Sequence, residues 1–123
     1  MSGVRELVSV ARAGIENLRA DEVRSELQGG NVLLVDVREP DETAAGTIPG
    51  AMLAPRGTLE FRADPRSSSH IEGFVPGRRV ILYSATGLRS ALAGHSLQTL
   101  GYTNVAHLEG GLVTWKAAGF ALD

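Results

Sequence analysis

No cysteine occurs among the 123 residues. Disulfides, thiolate metal sites and any thiol chemistry of the chain's own are therefore excluded. No apolar run approaches the roughly 18 residues a membrane span needs, so no membrane partner is expected. An excess of either charge is missing too: 12 basic against 14 acidic residues leave a net charge of −2. Nothing draws the whole chain toward nucleic acid, and any affinity for anions must come from local geometry. Arg5, Glu6 and Arg12 interrupt the apolar positions at the N-terminus, which removes a signal-peptide core and makes a cytoplasmic location the expectation. His70, His95 and His107 have no metal-ligand spacing, so neither a metal nor a cofactor is expected.

What is present reads as one globular domain, with 43% hydrophobic and 21% charged residues and length enough for a single core. Val4 to Ala13 carries apolar residues at helical spacing, an N-terminal helical extension over residues 1–14. A domain over 15–123 follows. In it Ile15 to Leu18 suits a short edge strand, Ala20 to Leu27 a helix stopped by Gly29 and Gly30, and Asn31 to Val37 a strand covered on both faces. Pro40 to Ala45 reads as a short helix, Ala51 to Ala54 as a short strand and Arg56 to Ala63 as helical. The polar stretch Asp64 to His70 is expected to be a mobile loop that could carry His70 toward a site. Asn104 to Leu108 suits a further strand, and Leu112 to Ala118 a closing helix with Trp115 in the core. Strands alternating with helices predict an α/β domain with a mainly parallel sheet, whose ligands sit beyond the strands' carboxyl ends.

The most informative stretch is Val80 to Ser90. Val80 to Tyr83 suits a buried central strand, Ala91 to Leu100 a helix closed by Gly101, and a tight loop joins them. Such a turn gathers free backbone N–H groups around one point. The helix dipole and Arg89 add positive potential, so Ser84, Ala85, Thr86, Gly87, Leu88 and Ser90 should cradle an anion. Gly87 suits a positive φ, and Thr86 and Ser90 suit helix capping. Asp36 and Arg38 fall at a strand's carboxyl end, with an Arg38–Glu42 ion pair expected to brace the loop. Arg56 is placed near the pocket mouth. His95 and His107 read as ordinary surface or strand positions.

The loop resembles the active-site loop of rhodanese-type sulfurtransferases, Cys-x-x-Gly-x-Arg-Ser, matched here at Gly87, Arg89 and Ser90 with Ser84 at the cysteine position. Two further segments are similar to the signatures of that family. One is Asp36-Val37-Arg38-Glu39 with Glu42 and Gly46 to Ala51, with Thr47 where the family has His. The other runs from Val105 through Leu108-Glu109-Gly110-Gly111 to Trp115 and Gly119. The resemblance implies a three-layer domain with helices flanking the sheet. It implies a nucleophile at position 84 that takes a sulfane sulfur from thiosulfate or a persulfide as a Cys persulfide. The sulfur then passes to cyanide, a thiol or a protein acceptor, with Arg89 holding the donor anion.

Four residues separate Ser84 from Arg89. Cysteine phosphatases of related fold carry five, so this loop is sized for sulfur. Serine cannot form the persulfide, which implies an inactive chain whose cysteine was lost naturally or replaced. The alternative is a catalytically dead anion-binding or regulatory module of the same fold.

Overall fold

The computed structural model describes residues 3–123. Met1 and Ser2 of the expected extension lie outside the described residues. The five strands are β1 (Glu16–Leu18), β2 (Val32–Asp36), β3 (Met52–Leu53), β4 (Arg79–Tyr83) and β5 (Val105–Leu108). They pair entirely in parallel, in the order β1-β5-β4-β2-β3, so β4 is central. The helices are α1 (Val4–Ala13), α2 (Ala20–Gly29), α3 (Pro40–Thr43), α4 (Leu59–Ala63), α5 (Leu88–Thr99) and α6 (Gly111–Ala117), with a 3₁₀ turn at Arg56–Thr58.

Because successive strand residues face opposite ways, the central strands feed two cores. Leu33, Val35, Val80, Leu82 and Val105 pack with Leu59, Ala63, Ala93 and Leu97 on one face. Leu34, Ile81, Tyr83, Ala106 and Leu108 pack with Val23, Leu112 and Trp115 on the other. The continuous apolar runs of β2 and β4 follow from this double burial. The result is a three-layer α/β domain. Helix α1 lies outside these layers, with Val8 and Ala11 against Ala91 of α5.

Two expectations are corrected. Helix α5 begins at Leu88, not Ala91, because Gly87 at φ 94° reverses the chain early enough for Leu88, Arg89 and Ser90 to form its first turn. The 64–70 segment is a chain of closed turns. The N–H of Ser67 donates to the Asp64 carbonyl at 2.9 Å, and that of Ile71 to the Arg62 carbonyl at 2.9 Å. His70 Nε2 lies 2.8 Å from the Phe74 carbonyl oxygen, so the ring is tied to its own loop.

Candidate active-site loop

Beyond the carboxyl end of β4 the chain turns so sharply that Ser84 comes to lie over the start of α5. Its Oγ accepts the N–H groups of Gly87 and Ser90, each at 3.2 Å, and stands 3.4 Å from Ser90 Oγ. Ser84 thus caps the helix, the role expected of Thr86 and Ser90. Gly87 at positive φ makes this possible, a conformation that L side chains rarely adopt. Ser84 is fully buried, while Thr86 and Leu88 are exposed and Ala85 is half-buried. The two N–H···O contacts lie at the long end of the ordinary range of about 2.7–3.2 Å, and the hydroxyl pair exceeds the O–H···O range of about 2.5–3.0 Å.

Helix α6 clasps this loop from behind. The N–H groups of Leu112 and Val113 donate to the carbonyls of Ser84 at 2.9 Å and Ala85 at 3.2 Å. Close backbone approach requires Gly111, at φ 64°: a Cβ there would lie 2.6 Å from the Ser84 carbonyl oxygen and 2.7 Å from Ala85 backbone atoms. Gly111→Ala is expected to cost about 2–4 kcal/mol, from overpacking and the left-handed backbone combined. Thermal unfolding would read this directly, and an unchanged midpoint would refute it.

Arg89 is not free. Its fork is closed on Glu42, Nη1 to Oε1 at 2.7 Å and Nη2 to Oε2 at 2.8 Å. The expected Arg38–Glu42 ion pair is absent. Arg38 is paired with Asp36 through Nε–Oδ1 at 3.1 Å and Nη2–Oδ2 at 2.8 Å, and reaches only the backbone carbonyl of Glu42, at 3.3 Å. Asp36 is fully buried at the end of β2, where a carboxylate without a cation is very unfavourable. Arg38 also donates to the Gly46 carbonyl at 2.7 Å and so ties down the loop that presents Glu42. Arg56 is directed elsewhere, bonded to Glu60 at 2.8 Å and Ser96 Oγ at 3.0 Å.

The Arg89 fork, aided by the Glu39 N–H, holds the Glu42 carboxyl down at about 2. A depressed native pKa stabilises the fold above the unfolded value near 4.5 and is lost as pH falls from there toward 2. Native protein should therefore lose stability relative to Glu42→Gln across that interval. Parallel melting curves over the acid range would check this, and curves that stay parallel would contradict it.

One residue went unrecognised in the sequence. His107 is fully buried, with Nδ1 2.9 Å from Ser90 Oγ and Nε2 2.8 Å from Asn17 Oδ1. The signal was the two-residue strand period: Ala106 and Leu108 face α6, so His107 faces the start of α5.

A family model for the rhodanese-like domain matches residues 19–118, and the chain belongs to that family. The chain is 35% identical over 95 residues to a probable adenylyltransferase/sulfurtransferase MoeZ of Mycobacterium tuberculosis, a match covering 76% of this chain and 23% of that protein. It thus spans about a quarter of that longer relative. Against the thiosulfate:glutathione sulfurtransferase of Homo sapiens it is 30% identical over 109 residues, covering 84% of this chain and 95% of that protein. A solved structure from Rhodopseudomonas palustris, a protein of unknown function described as a possible tyrosine phosphatase, superposes with a TM-score of 0.94 at 35% identity. That match covers 100% of this chain and 96% of the other. Among the described residues no helix is long and apolar enough to cross a membrane.

Proposed function

We propose that the chain is a sulfurtransferase scaffold for thiosulfate or a persulfide, with position 84 as the sulfur-carrying position and serine there leaving it inactive. One observation carries this reading: the N–H groups of Gly87 and Ser90 converge on Ser84 Oγ, each at 3.2 Å. With a thiol at position 84, the same donors and the positive end of α5 would stabilise first a thiolate and then a persulfide. The planar fork of Arg89 suits a sulfonate as well as a carboxylate. An incoming donor anion therefore competes with Glu42 for it. A serine hydroxyl stays protonated here, and its attack on sulfur would give an oxygen–sulfur ester in place of a persulfide.

The donor is a small sulfur-containing anion, and the acceptor is cyanide, a thiol or a protein thiol. The 15–123 domain carries this chemistry in the cytoplasm, with α1 as an added helix. The four-residue spacing between Ser84 and Arg89 supports sulfur over phosphorus. The test is to incubate Ser84→Cys with thiosulfate. A mass gain of one sulfur atom, discharged by cyanide or a thiol and absent in the native chain, is expected. Turnover by the native chain, or a variant that takes up no sulfur, would overturn the proposal.

A binding or regulatory module is the second reading, favoured by the complete burial of Ser84. It predicts that native protein binds thiosulfate or sulfate calorimetrically through Arg89 while Ser84→Cys stays inert.

A further inference from the structure

The buried contacts around Ser90 form a hydrogen-bond chain whose direction is determined by its far end. Asn17 Nδ2 donates to the carbonyls of Arg12 at 2.9 Å and Ile15 at 3.1 Å, which leaves Oδ1 as the atom facing His107. Oδ1 only accepts, so His107 Nε2 carries the hydrogen. In a neutral imidazole the other nitrogen, Nδ1, must then accept, and the Ser90 hydroxyl 2.9 Å away donates to it. The Gly87 carbonyl, at 3.2 Å, is the other acceptor within reach of that proton, and Nδ1 is the nearer; with the proton on the Nδ1 side, Ser90 meets Ser84 Oγ, 3.4 Å away, only as an acceptor. Asn17 lies directly beside His107 in the β1–β5 pairing, so the sheet itself sets this order.

We propose that His107 is a positioning residue that keeps the Ser90 proton turned away from position 84, so the side chain at 84 is held as a donor in its protonated form. This rests on the reading of position 84 as the nucleophile position. If 84 deprotonates, Ser90 can donate to the new anion only by leaving Nδ1 without a partner in the interior, which is unfavourable. Protonating His107 reverses the chain: Nδ1–H then donates to Ser90, whose own proton is freed for the Gly87 carbonyl or for an anion at 84. The charged groups facing the imidazole are Glu109, 3.5 Å from Nε2, and Arg12 of α1, which binds Glu109 at 2.7 Å. Asn17 is uncharged. Burial lowers the His107 pKa, in keeping with a neutral ring at neutral pH.

The first experiment uses the native chain. Nitrogen-15 NMR of His107 is expected to show hydrogen on Nε2 and none on Nδ1; hydrogen on Nδ1 would overturn the proposal. The second titrates the introduced thiol of Ser84→Cys by its thiolate absorbance. The chain has no other cysteine, and burial raises the pKa of both tyrosines, that of Tyr102 to about 12. Adding His107→Leu is expected to lower the thiol pKa by about one unit, a roughly tenfold gain in thiolate at a pH below both values. In a Ser90→Ala background, which removes the small intermediary, the same change should do nothing. A purely structural His107 would shift melting but not this titration. An unchanged or raised thiol pKa overturns the proposal. The two failures separate cleanly: a thiol that takes up sulfur but ignores His107 sinks the positioning role alone. A thiol that follows His107 yet takes up no sulfur sinks the sulfurtransferase reading alone.

Discussion

Ser84→Cys is expected to turn over thiosulfate with cyanide at a rate on the order of 10⁴ above the native chain. Deleting a covalent nucleophile typically lowers kcat by about 10⁶, while binding and positioning alone retain about 10³–10⁴ over water. Restoring one to a preformed site should recover much of that range. The site is preformed in the relevant sense. The N–H groups of Gly87 and Ser90 already point at the atom to be replaced, and Arg89 stands on the first turn of the same helix. The spacing has room for sulfur, with Ser90 Oγ at 3.4 Å. A coupled assay of thiocyanate formation would measure the rate. Adding Arg89→Ala to this variant should raise KM for thiosulfate far more than it lowers kcat, since the role proposed for the arginine is to hold the donor, not to react. A variant with a correct melting profile and no turnover would count decisively against the assignment.

The largest expected loss of stability comes from Arg38→Met, at about 3–5 kcal/mol. The variant leaves Asp36, fully buried at the end of β2, without the cation that neutralises it. It also removes the bonds from Arg38 to the carbonyls of Glu42 and Gly46, which hold the segment between β2 and β3. At this chain length such a loss lowers the melting midpoint by on the order of 10–20 °C. Replacing both partners, as Asp36→Leu with Arg38→Met, should be less damaging than the arginine change alone, because no orphaned charge then remains inside. A double variant worse than the single one would show that the pair does more than neutralise a charge. The single variant should also loosen Glu42 from Arg89 and weaken the acid-dependent stability described above.

Local patterns carried much of the architecture. The apolar runs at Val32–Val35 and Val80–Tyr83, the helical spacing of α1 and α2 and the punctuating glycines act over a few residues, so they could be read directly. The loop between β4 and α5 was legible for the same reason, since a strand, a glycine suited to positive φ and a helix follow one another within ten positions. Its inner order was not: Ser84, not Thr86 or Ser90, satisfies the helix start, because the depth of the turn depends on α6 packing behind it.

Pairing of charges lay beyond reach as well. Glu42 meets Arg89 across 47 positions only because β2 and β4 are neighbours in the sheet, and Arg38 turns to Asp36 because the latter is sealed in. His107 likewise gains its importance from β1 adding beside β5, which brings Asn17 to one side of the ring and α5 to the other. By itself, then, the sequence determined the layers, the sheet and the tight loop between β4 and α5. The tertiary structure alone decided which polar groups face each other there, since burial leaves each charge and hydroxyl only the partners that the topology brings within reach.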